Sequence, residues 1–207
     1  TPSASTYYNL ISSGTSIKTI LAPITVNGNL IVSGSSTLYT AQFQITGTGA
    51  GNLQMASGTT LLLGNTAVAT AVSFTTNFVA GNILLDPNST VSYQANTNQT
   101  ISAVPVYGNL TTATSGFKTL VNNITAKGNV LIAAGSTLKV NNTNFTITVE
   151  GNWTHEVGAT FDELNGTVIF SGSNNQFING NPTETFYNLT VNKSGGKVQP
   201  IDNLTDI

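Results

Sequence analysis

The sequence contains no cysteine and no arginine, and charged residues make up only 7% of it. Ordinary soluble domains carry roughly 25% charged residues. The absence of cysteine excludes disulfide bonds and thiolate metal sites. A formal net charge of −2 gives no electrostatic reason to expect nucleic acid or an anionic membrane as a partner.

Long apolar runs and helical patterns are also missing. No stretch approaches the roughly 18–20 apolar residues of a membrane span, and no capped segment shows a 3.6-residue apolar period. No signal peptide is visible at the start, TPSASTYYNL, so we expect a processed chain or a fragment of a longer one. The lack of cysteine and the scarcity of lysine and glutamate favour an extracellular, bacterial cell-surface location.

Asn, Thr, Ser and Gly take the place that charged residues normally occupy. Hydrophobic residues still make up 39% of the chain and are spread along it. Disordered proteins combine low hydrophobicity with high net charge, and this sequence has neither property. The chain is therefore expected to bury a substantial core.

One motif recurs five times, and such internal repeats decide the fold class. It reads Gly-Asn, apolar, any residue, apolar, a turn-forming stretch, and then Thr followed by an apolar residue. The first copy is GNLIVSGSSTL and begins at Gly28. The repeat positions are Gly28, Asn29, Thr37, Gly51, Asn52, Thr60, Gly81, Asn82, Thr90, Gly128, Asn129, Thr137, Gly151, Asn152 and Thr160.

A longer period lies over this motif. ITVNGNLIVSGSSTL at 24–38 returns as ITAKGNVLIAAGSTL at 124–138, and STVSYQANTNQTI at 89–101 resembles GTVIFSGSNNQFI at 166–178. Aromatic residues followed by Asn-Leu open each long unit. We expect units at approximately 7–105, 106–185 and 186–207, the last truncated, within one solenoid segment covering 1–207.

The repeat predicts an all-β, right-handed parallel β-helix. Apolar and polar residues alternate with the two-residue period of a strand, and turn residues separate the strands. Three short strands with their turns fill the spacing of 23 or 30 residues between copies. A β-sandwich has strands at this frequency too, but it needs no residue types recurring at every turn, whereas stacked rungs place like on like. We expect about three strands per rung, roughly nine rungs, and ladders of stacked Asn side chains.

A family resemblance adds to this prediction. The segments FYNLTVNKSGG, GNWTHEVGATF and GTVIFSGSNNQFING resemble repeat regions of large secreted surface proteins of Bacteroidetes-type bacteria. Such proteins are similar to adhesins and are exported with a C-terminal sorting domain. The resemblance implies a β-helical stalk with an adhesive role.

The candidates for chemistry are few. His155, Glu156, Asp162 and Glu163 are the residue types of a metal or acid–base site. The repeat favours a structural role, because His155 occupies the place of the apolar Val32 and is expected to point inward. Trp153 is either a platform for stacking sugars or, as its apolar repeat equivalents indicate, a core residue.

The function expected from the sequence is structural or adhesive. The fold is also used by polysaccharide-active enzymes, but those need clustered Asp and a basic residue, and the four Asp are scattered here. We therefore predict no catalytic residues, no metal site and no cofactor. The expected partners are neighbouring rungs or copies stacked end to end, and glycans or solid surfaces. The alternatives are a self-assembling filament or surface-layer subunit and, third, a polysaccharide-active enzyme.

Overall fold

The chain folds almost entirely into short strands joined by turns. The computed structural model describes residues 3–141, 143–180 and 184–201. A single 3₁₀ turn, Ala80–Asn82, is the only helical element in these three ranges. The described part of the chain therefore contains no helix long and apolar enough to cross a membrane. The predicted all-β class is confirmed.

The strands of the described residues form five sheets, which we number in the order in which the chain enters them. Sheet 1 contains β1 (Ser5–Tyr7), β4 (Ile24–Val26) and β7 (Ile45–Gly47). Sheet 2 contains β2 (Leu10–Ser12), β5 (Leu30–Val32), β8 (Leu53–Met55) and β10 (Ile83–Leu85). Sheet 3 contains β3 (Ile17–Thr19), β6 (Thr37–Tyr39), β9 (Thr60–Leu63), β11 (Thr90–Tyr93), β13 (Asn109–Thr112), β16 (Val130–Ile132), β19 (Trp153–His155), β22 (Gln176–Asn179) and β24 (Val198–Pro200).

Two further sheets complete the second half. Sheet 4 contains β12 (Gln99–Ile101), β14 (Phe117–Leu120), β17 (Thr137–Lys139) and β20 (Thr160–Asp162). Sheet 5 contains β15 (Ile124–Ala126), β18 (Thr146–Val149), β21 (Thr167–Phe170) and β23 (Asn188–Val191).

The five sheets together form the three sides of one parallel β-solenoid. Every strand pairing among the described residues is parallel. In sheet 2, for example, Leu10 pairs with Leu30 of the next rung, and Leu30 pairs with Leu53 of the rung after that. The nine strands of sheet 3 mark about nine rungs. Each full rung uses three strands: one before Gly-Asn, one after it and one that begins with the repeat Thr. The prediction of a stacked solenoid with three strands per rung is confirmed.

Alternation along each strand builds the core. In β5 the side chains of Leu30 and Val32 are buried while Ile31, between them, faces outward, and the same pattern recurs in β16. Because equivalent positions stack, these inward side chains form one hydrophobic column that runs from Ile20 to Ile178. Burial of this column supplies the main stabilisation of the rungs.

The repeat changes side part of the way along the solenoid. Strand β5 follows Gly28-Asn29 and lies in sheet 2, whereas β16 follows Gly128-Asn129 and lies in sheet 3. The change occurs where Asn109 pairs with Thr90, which sets a Gly-Asn strand on a Thr strand. The Gly-Asn units therefore stack directly within two blocks rather than along the whole chain.

Two buried tyrosines fill the interior at this change of side. The hydroxyls of Tyr93 and Tyr107 lie 2.9 Å apart, and Tyr107 donates to the carbonyl oxygen of Ser102 at 2.6 Å. The backbone N–H of Ser102 donates to the Tyr93 hydroxyl at 3.1 Å. Burial raises the pKa of Tyr93 to about 12 and the pKa of Tyr107 well above its ordinary value. Both hydroxyls are thus held neutral and hydrogen-bonded inside the solenoid.

Candidate functional site

The four residues singled out for chemistry point to different partners. His155 Nδ1 lies 2.9 Å from Glu184 Oε2, and Glu156 accepts a hydrogen bond from the backbone N–H of Ala134. Asp162 forms an ion pair with Lys139 at 2.9 Å. Glu163 uses its backbone carbonyl to accept from the N–H of Gly166. Within residues 3–141, 143–180 and 184–201, no three His, Asp or Glu side chains are grouped to hold a metal ion.

Glu184 is the residue that sequence reasoning missed. Its Oε2 also accepts a hydrogen bond from Trp153 Nε1 at 2.9 Å, so one carboxylate oxygen contacts both the indole and the imidazole. The His155 side chain is only 12% exposed, which confirms that it points inward. Trp153 is fully buried and is a core residue, so it offers no platform to a sugar.

Aromatic rings enclose this group. Trp153 packs edge-on against Phe161 and Phe186, with ring centroids 4.8 and 5.6 Å away. Phe170 contacts Phe186 in the same manner at 6.2 Å. Edge-to-face pairs of this kind are each worth about 0.5–1.5 kcal/mol beyond the area they bury. The cluster ties three successive rungs together around the contact between His155 and Glu184.

The repeat Asn residues have a geometry of their own. Asn29 Oδ1 accepts a hydrogen bond from the backbone N–H of Asn52 in the next rung at 3.0 Å, and Asn129 Oδ1 accepts from Asn152 N–H at 2.7 Å. The ladders therefore run from side chain to backbone, instead of from amide to amide as the sequence suggested. Asn82 differs, because its Nδ2 donates backwards to the Gly51 carbonyl at 3.3 Å. Each ladder closes the corner between two rungs.

The repeat Gly residues are needed for close approach at these corners. A Cβ on Gly51 would overlap the carbonyl oxygen of Gly28, and one on Gly151 would lie 2.5 Å from the carbonyl oxygen of Gly128. Gly81 is the exception, because a Cβ there would meet nothing within 4 Å. Its rung contains a longer connection from β9 to β10, which moves the corner away from its neighbour.

The repeat Thr residues begin outward-facing ladders. Thr37, Thr60 and Thr90 pair in register along sheet 3, and Thr137 pairs with Thr160 in sheet 4. These side chains are half-buried, except for the exposed Thr160. They place a row of hydroxyl groups on the outer surface of each sheet.

Small hydroxyl residues just before the Thr are buried. Ser36 donates to the Ser12 carbonyl at 3.1 Å, and Ser136 donates to the Thr112 carbonyl at the same distance. These two pairs lie 100 residues apart in the sequence. The long period therefore extends to individual hydrogen bonds.

Lys118 lies inside a corner of the solenoid. Its ammonium group donates to the carbonyl oxygens of Ala95 at 2.7 Å, Thr97 at 3.1 Å and Ser115 at 2.7 Å. The residue is fully buried, and desolvation lowers its pKa to about 8. Its three carbonyl partners satisfy the ammonium without any acidic residue, so the group is a structural cation.

The lowered pKa of Lys118 and the raised pKa of Tyr93 together predict that the free energy of unfolding is highest near pH 10. Between about pH 8 and 10.5 the unfolded chain binds more protons at Lys118 than the folded chain does, so the free energy of unfolding rises with pH. Above pH 10 the unfolded chain loses the Tyr93 proton first, and stability falls toward pH 12. We expect a rise on the order of 2 kcal/mol from pH 8 to pH 10, measured by urea unfolding.

The matched variant is Lys118→Met, which fills the corner without a titrating group. Its unfolding free energy should be lower at every pH but flat between pH 8 and 10. Parallel pH profiles for the two proteins would assign the rise to other groups.

A shallow groove crosses three rungs on the outer face of sheet 2. Each rung contributes an outward strand residue and residues of the following turn, and the lining includes Ile31, Ser33, Gln54, Ser57, Leu84 and Asp86. Ile31, Gln54 and Leu84 stack in register. The groove thus combines an apolar strip with hydroxyl and amide groups.

Comparison with known proteins adds no relative. No family model, no curated protein and no solved structure matches this chain.

Proposed function

We propose that this chain is a non-catalytic stalk segment of an extracellular bacterial surface protein, with an outer face that makes weak, repeated contacts with glycans. The observation that supports the stalk is the uninterrupted stack of about nine rungs in sheet 3. At about 4.8 Å per rung the stack has a length on the order of 40 Å. The resemblance to repeats of secreted adhesins supports the same role.

The groove on sheet 2 supports the contact with glycans. Sugars present apolar C–H faces and hydroxyl groups, and neutral side chains such as Ile31, Gln54 and Ser57 match both. The groove is open and offers few contacts per sugar, so a single site binds weakly. Many sites on neighbouring stalks then raise the overall affinity by about 10²–10⁴-fold.

The test compares soluble protein with protein coupled densely to beads, over a panel of insoluble polysaccharides. Beads are expected to bind at least one polysaccharide at protein concentrations about 100-fold below those needed in solution. The double variant Ile31→Ser with Gln54→Ala should abolish bead binding. The matched control is Leu131→Ser with Thr154→Ala, which changes the equivalent outward positions of β16 and β19. The adhesive proposal is wrong if wild-type beads bind nothing, or if both variants lose binding equally.

A self-assembling filament is the second candidate, and the terminal strands favour it. Among the described residues, strands β2 and β3 each pair on one side only, as do β23 and β24 at the other end. Such open edges are templates for further pairing. Electron microscopy of concentrated protein distinguishes the two roles, since ordered polymers favour the filament and isolated short rods favour the stalk.

A further inference from the structure

Two places along the solenoid share one arrangement of rungs. Strand β11 pairs with β13 so that Thr90 faces Asn109 and Val91 faces Leu110. Strand β21 pairs with β23 in the same register, with Thr167 facing Asn188 and Val168 facing Leu189. In each case a Thr-Val-x-aromatic strand lies beneath an Asn-Leu strand that opens a long unit. We call the lower rung the junction rung and the upper one the acceptor rung.

An Asn-Gln pair connects the two rungs at both junctions. Asn98 Oδ1 accepts a hydrogen bond from the backbone N–H of Phe117 in the acceptor rung at 2.9 Å, and Asn175 Oδ1 accepts from Lys197 N–H at 3.0 Å. The Asn residues therefore reach forward to the acceptor rung.

The following Gln residues reach backward. Gln99 Nε2 donates to the carbonyl oxygens of Leu63 and Val72, and Gln176 Nε2 donates to those of Val149 and Gly151. Both Gln side chains are buried. The Asn-Gln pair thus ties each junction rung to the rungs on either side of it.

The first rung of the chain has the features of an acceptor rung. Residues 8–20, YNLISSGTSIKTI, align with residues 108–120, GNLTTATSGFKTL, without a gap. Their contacts with the following rung are also the same: Leu10 N–H donates to the Asn29 carbonyl at 2.9 Å, as Leu110 N–H does to Asn129. Residues 8–20 and 108–120 therefore make the same contacts with the rung that follows them.

The contacts with the rung below differ between residues 8–20 and 108–120. Among the described residues, Lys18 Nζ donates hydrogen bonds only to Ser16, to its carbonyl at 3.0 Å and its hydroxyl at 2.9 Å. The aligned Lys118 donates to Ser115 of its own rung and to Ala95 and Thr97 of its junction rung. Leu10 is half-buried where the aligned Leu110 is fully buried. Strands β2 and β3 have no partner on this side among the described residues.

We propose that residues 8–20 are a docking surface for a solenoid rung of the junction class, with a Thr-Val-x-aromatic strand and an Asn-Gln pair. The chain already contains two junctions of this kind, and residues 8–20 match the acceptor rung of the first. The docked rung supplies carbonyl oxygens to Lys18 and covers Leu10. This proposal does not depend on the glycan-binding role.

Residues 8–20 differ from residues 108–120 at one position that matters for docking. Ser16 stands where the second unit has Gly116, and a Cβ on Gly116 would lie 2.5 Å from the carbonyl carbon of Thr97. The turn of the docked rung must therefore differ at that point from the turn at Thr97, or Ser16 must become glycine. This requirement is built into the test.

The test supplies the rung covalently. Residues 60–107, which include a junction rung and the partners of its Gln, are placed directly before Tyr8 in the full chain, with and without Ser16→Gly. Hydrogen exchange of residues 8–20 is then measured by mass spectrometry. We expect exchange to slow at least about tenfold, most in the Ser16→Gly form, because an edge becomes an internal strand. Lys18→Met should lower the melting temperature of the extended protein and leave that of the original chain unchanged.

The matched control carries Asn98→Ala and Gln99→Ala in the added segment only. It should protect residues 8–20 less than the intact extension does. The proposal is wrong if the intact extension leaves exchange unchanged, or if the control protects equally well. It is also wrong if the original chain associates with itself and protects residues 8–20, since the occupant is then a second copy.

Discussion

Replacement of Gly51 by alanine is expected to lower the free energy of unfolding by about 3 kcal/mol. The new methyl group would overlap the carbonyl oxygen of Gly28, which belongs to the backbone of the preceding rung and cannot rotate away. Relief requires the two rungs to separate at this corner. Separation would also weaken the hydrogen bond from Asn52 N–H to Asn29 Oδ1.

The control for this prediction is the same change at Gly81. Both glycines precede the repeat Asn, but a Cβ on Gly81 meets open space. Gly81→Ala should therefore stay within about 0.5 kcal/mol of the wild type. Urea unfolding of the two variants measures the difference. Equal destabilisation by both changes would contradict close packing of the rungs as the reason for glycine at position 51.

Replacement of Trp153 by alanine is expected to cost about 3–5 kcal/mol. The change empties the centre of the aromatic cluster formed with Phe161 and Phe186. It also removes the N–H that donates to Glu184, a carboxylate that is almost fully buried. The loss should appear as early unfolding of the last rungs, because in a solenoid each rung depends on its nearest neighbours.

Two further variants separate the causes. Trp153→Phe keeps an aromatic ring but removes the indole N–H, so it should cost less than the alanine variant. Tyr187→Ala removes an aromatic side chain that is 62% exposed and should have an effect below about 0.5 kcal/mol. Thermal melts followed by circular dichroism measure all three. Equal melting temperatures for Trp153→Ala and Tyr187→Ala would contradict the assignment of Trp153 to the core.

The structure of a rung could be predicted because the same residue types recur at the same positions of each repeat. Leu30, Leu53 and Val130 each follow Gly-Asn, and the pattern shows their inward direction and stacking without knowledge of the structure. The change of side at Asn109 could not be predicted in this way. Both a Gly-Asn strand and a Thr strand alternate with period two, so either one fits above β11. Tyr93 and Tyr107 lie in the interior at this point, and their pairing is not visible in the repeat.

The candidate site was predictable only in part. The inward direction of His155 followed from its place in the repeat, but Glu184 belongs to no motif and lies 29 residues further along the chain. Lys118 was missed because lysine is almost never fully buried. A signal was present, since Lys18 and Lys118 align. Each lies two residues before an apolar residue and therefore shares that residue's face of the strand.

The change of side bears on how a long fibre would meet its surroundings. Aligned strands of the first two long units, β2 and β13, belong to sheets 2 and 3, so a unit does not span a whole number of rungs. Strand β23 of the third unit returns to the side of β2, because each of these strands directly precedes a strand of sheet 3 in its rung. A patch that the aligned strands carry is therefore presented on one side of the solenoid in the first and third units and on another side in the second. A fibre built this way would present the same patch on two of its three sides.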